Sequence, residues 1–203
     1  VVDDEAPEFI GEAKDVTIFC QNQEEIPAVP EITIADNCDP NPMLVYSEYN
    51  NRGGDPKLCD YYNYTIARKW VATDRCGNEN VLIQYIKIID DSKPQFDIPA
   101  SWTDTSVAIA EKGCQFLVPD FRDFVKSFSY DNCTDTSALN VYQSPAEFTP
   151  LSGTTILNIV VEDMCGNKDT LQKVIVVPTK ESVITVLTRD TVHCGSDSSG
   201  VNL

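Results

Sequence analysis

The chain has 203 residues, with eight cysteines, one histidine and a formal charge of -17 from 32 acidic and 15 basic side chains. That charge argues against nucleic acid and anionic membrane surfaces as partners. No apolar run approaches the ~20 residues that cross a bilayer. The length fits two domains of about 85–90 residues better than one.

Residues 1–8 read as the end of a preceding repeat plus a linker, because Val1-Val2-Asp3-Asp4-Glu5-Ala6-Pro7-Glu8-Phe9 matches Ile88-Ile89-Asp90-Asp91-Ser92-Lys93-Pro94-Gln95-Phe96. A first domain over 9–92 follows, with strands expected at Val16–Phe19, Glu31–Ala35, Met43–Glu48, Tyr64–Ala72 and Val81–Ile89. Tyr64, Ile66, Arg68, Trp70 and Ala72 share one face at period two. A second domain over 93–178 carries strands at Ser106–Ala110, Gln115–Val118, Leu139–Gln143, Thr154–Glu162 and Thr170–Val177. Aligned on the following Asp, Leu157, Ile159 and Val161 take the face of Arg68, Trp70 and Ala72. Phe121, Phe124, Val125 and Phe128 follow a helical i, i+3, i+4, i+7 pattern, with Asp120 placed to cap it. Residues 179–203 open a further repeat or form an exchanged strand, Ser182 to Val192, whose Val183, Ile184, Val186 and Leu187 would be buried in a neighbouring subunit.

The strongest signal is repetition. Asp36-Asn37-Cys38 recurs as Asp131-Asn132-Cys133, and Asp74-Arg75-Cys76-Gly77-Asn78 recurs as Asp163-Met164-Cys165-Gly166-Asn167. A period near 90 residues with turn chemistry at matching points means tandem domains. About seven short strands per repeat, with turn signals every 8–12 residues, predict an all-β chain of immunoglobulin/fibronectin-like sandwiches in series. The linker at Asp91–Pro94 is short and stiffened by proline, which predicts an elongated pair.

Eight cysteines, none closer than 17 residues apart, do not have zinc spacing, so they read as a disulfide framework in an oxidising space. No enzyme assembles. The single His193 gives no triad, and no nucleophile elbow, phosphate loop or HExxH is present. Two non-enzymatic readings remain: a structural stalk, filament or adhesin segment, or a module that binds a glycan or protein on other cells. The best glycan candidate is Asp60-Tyr61-Tyr62-Asn63 beside Arg52-Gly53-Gly54.

The pattern Cys20, Ala35-Asp36-Asn37-Cys38-Asp39, Arg68-Lys69-Trp70-Val71-Ala72-Thr73-Asp74, Cys76-Gly77-Asn78 and Ile88-Ile89-Asp90-Asp91 with Pro94 resembles the hyalin-repeat (HYR and HYR-like) family, in the cysteine-containing form of giant Bacteroidetes surface proteins. Membership would imply an immunoglobulin-like fold, a role in adhesion or long extracellular stalks, and export by the type IX secretion system. Ala72-Thr73-Asp74 with Asp90-Asp91-Ser92-Lys93-Pro94-Gln95-Phe96 is similar to the cadherin linker, where acids share calcium. Cadherins also carry a Leu-Asp-Arg-Glu-type segment, which is missing here. The second repeat departs from the hyalin pattern too, since Leu171 stands where related sequences place a cysteine, and Pro178-Thr179-Lys180-Glu181 replaces the acidic linker.

These readings yield specific expectations. Cys38 pairs with Cys76 and Cys133 with Cys165, because each pair sits in two turn motifs at one end of a domain. Cys20 then pairs with Cys59, and Cys114 and Cys194 are left over: they pair only if the C-terminal segment folds back over the second domain, and otherwise Cys114 finds another partner or stays free. A calcium ion draws on Asp36, Asp39, Asp74 and Asp90 or Asp91, since hard oxygens in turns suit it. The alternative is that Asp36 and Asp74 only cap their own turns. Thr170 and Thr191 lie in Asp-Thr-apolar motifs that resemble Bacteroidetes O-glycosylation sites, and Asn63 and Asn132 head N-x-Thr sequons. The expected partners are neighbouring repeats of the same chain or neighbouring subunits of a filament.

Overall fold

The fold is taken from a computed structural model, which describes residues 2–99, 102, 105–107 and 116–177. The chain is all-β, with one short α-helix among the described residues, and it divides into two compact units. The first unit comprises Val1–Lys93 together with two returning loops, Asp131–Ala138 and Asp163–Asn167. The second comprises Pro94–Tyr130, Leu139–Glu162 and Lys168–Leu203.

The first unit holds β1 (Glu8–Ile10), β2 (Val16–Phe19), β3 (Thr33–Ala35), β4 (Met43–Asn50), β5 (Tyr64–Thr73) and β6 (Glu79–Ile89). Its main sheet runs β2-β6-β5-β4, and β1 pairs with β3 in a separate ribbon. β2 lies parallel to β6, whereas β4, β5 and β6 form an antiparallel meander. Alternation decides the faces. Along β5 the residues Tyr64, Ile66, Arg68, Trp70 and Ala72 are buried, and Ile86 and Ile88 of β6 join the core with Ile18 and Cys20.

Arg68 is a buried charge on that inward face. Its guanidinium is satisfied where it lies: Nε donates to Glu48 Oε2 at 2.8 Å, and Nη1 donates to the Ala28 carbonyl at 3.2 Å and to Gln84 Oε1 at 3.4 Å. A buried charge persists only when paired in this way.

The second unit repeats the plan. It holds β7 (Gln95–Phe96), β8 (Thr105–Val107), α1 (Arg122–Ser127), β9 (Ser129–Tyr130), β10 (Asn140–Ser144), β11 (Thr154–Glu162) and β12 (Lys168–Val176). The sheet order is β10-β11-β12-β8 with β8 parallel to β12, and β7 pairs with β9. Leu157, Ile159 and Val161 are fully buried on the face expected for them, together with Val118, Val125, Leu139 and Ile175. The strand expected over Gln115–Val118 is reduced, among the described residues, to a bridge between Leu117 and Pro150.

The helix forms where its apolar spacing predicts, but Asp120 does not cap it. Phe121 occupies the cap position and its N–H donates to Gln143 Oε1, while Asp120 Oδ1 accepts the Arg122 N–H at 3.0 Å and pairs with the Arg122 guanidinium. Val125 is the helix residue in the core, and Phe124 stacks on Trp102 at 5.1 Å.

Each long hairpin closes through the same five-residue turn. Asp74 N–H donates to Asn78 O and Gly77 N–H to Asp74 O, and Asp163, Asn167 and Gly166 repeat both bonds. Gly77 and Gly166 have φ of 88° and 87°, a region that disfavours any side chain. A Cβ at Gly77 would meet nothing within 4 Å. The expected cost of Gly77→Ala is therefore backbone strain alone, about 1–2 kcal/mol, measurable by urea unfolding. A change under a few tenths would contradict that origin.

Candidate metal centre and disulfide framework

The returning loops bring three carboxylates together inside the first unit. One oxygen each of Asp90, Asp131 and Asp163 lies within 4.8 Å of the others. Asp90 directly follows β6, Asp131 follows β9, and Asp163 opens the turn after β11. The support of the last two is local. Asp131 Oδ1 accepts the N–H groups of Cys133 and Thr134 at 2.9 and 2.8 Å. Asp163 Oδ1 accepts the Cys165 and Asn167 N–H groups at 2.8 Å each, and its Oδ2 accepts Asn167 Nδ2 at 2.7 Å. Asn167 Nδ2 also donates to the Asp90 carbonyl at 3.2 Å, which fixes the end of β6.

Asp90 itself is different. It is 4 % exposed, and its carboxylate oxygens are buried with no hydrogen bond of ordinary geometry, the Ser92 N–H alone standing near enough to favour the charge; Asp131 Oδ2 is also buried and unpartnered. Burial first, then the charges of Asp131 and Asp163, push the Asp90 carboxyl up to about 7. An unpaired buried carboxylate facing two others is costly unless a cation completes it.

The same arrangement occurs a second time in the first unit. Asp3, Asp36 and Asp74 gather within 4.8 Å. Asp36 Oδ1 accepts Cys38 N–H and Asp39 N–H at 2.9 and 2.6 Å. Asp74 accepts Asn78 N–H at 2.8 Å and Asn78 Nδ2 at 2.7 Å, and Asn78 Nδ2 reaches the Asp3 carbonyl at 3.2 Å. Burial opposes the charge on Asp74, but the bonds from Asn78, Gly77 and Cys76 hold its pKa below the usual value. Asp36 Oδ2 is buried and unpartnered, like its counterpart on Asp131.

The structure thus divides the expected calcium ligands. Asp36 and Asp74 meet, with Asp3 as a third member. Asp90 cannot join them. It follows Ile89 at the end of β6 where Ile88 pairs with Tyr64, while Asp74 follows the Thr73–Glu79 pair at the other end of the hairpin. Ten residues of strand separate these ends by roughly 30 Å. Asp39 is buried and turned aside: it bonds the Arg75 N–H and guanidinium at 3.0 and 3.2 Å and the Asn41 N–H at 3.0 Å. Asp91 is exposed and belongs to neither group. Asp3, Asp131 and Asp163 were not expected as ligands, although they stand at repeat positions equivalent to Asp90, Asp36 and Asp74.

The disulfides overturn the expected pairing. Cys20 is bonded to Cys133 and Cys59 to Cys165, with Cα separations of 5.9 and 4.6 Å. Cys38 and Cys76 are exposed free cysteines rather than a pair. The physical reason is the return of both second-repeat turns to the first unit, which sets Cys133 and Cys165 beside Cys20 and Cys59. Cys20 and Cys133 also lie near Asp90, but sulfurs held in a disulfide are not thiolate ligands. Cys114, Cys194, Thr191 and the strand expected over 182–192 lie outside the described residues.

Other candidates are placed as follows. Thr170 is exposed in β12. Asn63 accepts the Asp90 N–H through its side chain, and Asn132 Nδ2 donates to Gln21 at 2.8 Å. Tyr62 is buried with its hydroxyl on the Pro56 carbonyl, and the Arg52 guanidinium covers the Tyr61 ring at 4.0 Å. These tyrosines do not form an open platform on which a sugar could stack.

No family model matches the sequence, and no curated protein matches it. Among solved structures, the chain is similar to mouse cadherin-23 repeats EC22–24, at 13 % identity and a TM-score of 0.34, covering 86 % of this chain and 67 % of that one. It is similar to Drosophila N-cadherin EC1–4 at 13 % identity and 0.34, covering 86 % and 50 %. It is also similar to the human desmocollin-1 ectodomain at 10 % identity and 0.26, covering 85 % and 40 %. Values this low do not establish a shared role, and the chain spans only 40–67 % of these three structures.

Proposed function

We propose that the chain is a structural segment of an extracellular repeat protein, a cell-surface stalk, filament or adhesin, whose turns are clamped by disulfides and calcium. The observation that carries this reading is the duplicated carboxylate cluster, Asp90-Asp131-Asp163 and Asp3-Asp36-Asp74, supported by the same hydrogen bonds in both copies. A motif kept for turn closure alone would not leave the Asp90 carboxylate buried against two others with only the Ser92 N–H near it. Oxygen-only donors on flexible turns suit calcium, with backbone carbonyls and water completing the shell. Two disulfides in the described residues favour an oxidising location. The residues that resemble hyalin repeats supply the finer reading of a Bacteroidetes surface protein exported by the type IX system. Its partners would be neighbouring repeats or filament subunits, and it would have no catalytic role.

Thermal unfolding with and without calcium tests the clamp. Millimolar calcium added to chelated protein should raise stability by about 3–4 kcal/mol if it stands at 100 to 1,000 times the dissociation constant. Asp163→Asn should remove part of that gain. An unchanged midpoint would refute the clamp. A glycan array probed with the same protein separates the roles: specific binding would favour a recognition module over a structural segment.

A further inference from the structure

Cys38 and Cys76 occupy the positions that Cys133 and Cys165 occupy in the second copy of the motif. The equivalence is structural as well as sequential. Cys38 N–H donates to Asp36 Oδ1 as Cys133 N–H donates to Asp131 Oδ1, both at 2.9 Å. Cys76 lies inside the Asp74–Asn78 turn as Cys165 lies inside the Asp163–Asn167 turn. Yet Cys133 and Cys165 are bonded, to Cys20 and Cys59, while Cys38 and Cys76 are free and exposed.

What the bonded pair meets is clear from the register. Cys20 directly follows β2, whose last residue Phe19 pairs with Ile89 at the end of β6. Cys59 begins the short helical turn Cys59–Tyr61 just before β5, whose first residue Tyr64 pairs with Ile88. Both cysteines therefore flank the end of β6, the strand that runs into Asp90. Asp3 is the counterpart of Asp90, since its side chain closes the other triad and its carbonyl accepts Asn78 Nδ2 as the Asp90 carbonyl accepts Asn167 Nδ2. Val1-Val2 ahead of it repeats Ile88-Ile89. A module whose last strand runs into Asp3 would present two such cysteines to Cys38 and Cys76. A second copy of this chain could not, because its own Cys20 and Cys59 are already bonded.

We propose that Cys38 and Cys76 each form a disulfide with a cysteine of a further module of this kind, lying ahead of Asp3 in the same polypeptide. Cys38 would take the cysteine at the Cys20 position and Cys76 the one at the Cys59 position. Each bond forms by exchange with an oxidised dithiol protein. One thiolate attacks that protein's disulfide, the second thiolate resolves the mixed disulfide, and two electrons and two protons leave with the reduced oxidoreductase. The proposal does not depend on calcium, and its test reads sulfur connectivity alone.

The test is non-reducing peptide mapping of the native, full-length protein, alkylated before digestion. Cys38 and Cys76 peptides should each be found linked to a different peptide from ahead of Asp3, alongside the Cys20–Cys133 and Cys59–Cys165 peptides. In the Cys38→Ser protein one upstream cysteine should become alkylatable, while the Cys76 link persists. Alkylated Cys38 and Cys76, a Cys38–Cys76 bond, or a link from either to Cys114 or Cys194 would overturn the proposal. Absence of the Cys20–Cys133 and Cys59–Cys165 links would overturn it as well, by removing its template.

Discussion

Calcium-free protein is expected to lose about 3 kcal/mol of stability between pH 5 and pH 8, at ~1.4 kcal/mol per unit of pKa difference. The cause is Asp90, whose carboxyl is pushed up to about 7 by burial and by Asp131 and Asp163. In the unfolded chain the same group titrates near 3.9. Between those values the folded state keeps a proton that the unfolded state has released, so stability falls as pH rises through the window. The loss should level off above pH 8. Asp90→Asn, neutral throughout, should flatten this part of the profile. Calcium should restore more stability at pH 8 than at pH 5, because it takes the place of the proton. Urea titrations in chelator across this range provide the measurement. A flat or rising profile for the unaltered protein would contradict the assigned environment of Asp90.

Removing the Cys59–Cys165 bridge should cost about 4–5 kcal/mol in the chain-entropy account, since it closes a loop of 106 residues. The Cys20–Cys133 bridge, with a separation of 113, should cost a similar amount. A second effect follows from position. Cys133 stands two residues after Asp131 and Cys165 two after Asp163, so each bridge holds one carboxylate-bearing turn against Asp90. The Cys59→Ala/Cys165→Ala protein should therefore bind calcium more weakly at Asp90 while the Asp3-Asp36-Asp74 cluster keeps its affinity. Calorimetric titration of both proteins checks this. Two unchanged affinities would show that the turns are held without the sulfurs.

The strands were legible because period-two burial is written directly in β5 and β11. Trp70 and Ala72, like Ile159 and Val161, could be assigned to the inward face from spacing alone. Arg68 was legible as an exception but not as a solved one, because its partners Glu48, Ala28 and Gln84 come from three other segments. The motif letters marked the right turns, yet pairing within each repeat was the wrong rule for their cysteines. Cys38 and Cys76 do share one end of a domain, but so would two cysteines bonded elsewhere, and spacing does not say which neighbour a turn faces. The carboxylates failed for the same reason. Turn chemistry and the likeness to a cadherin linker put Asp90 beside Asp74, whereas the length of the hairpin between them holds them apart.

The parallel pairing of β2 with β6 has a mechanical consequence. Val16 pairs with Ile86 and Phe19 with Ile89, so the chain enters the ladder at Val16 and leaves it at Ile89. Tension between those points drags the two strands lengthwise past each other. All the backbone bonds of the ladder then bear load together, instead of opening one after another from an end. The second unit has the same polarity, with Thr105 opposite Val174 and Val107 opposite Val176. A module wired in this way resists being pulled apart along its chain far better than one whose terminal strands run antiparallel and unzip.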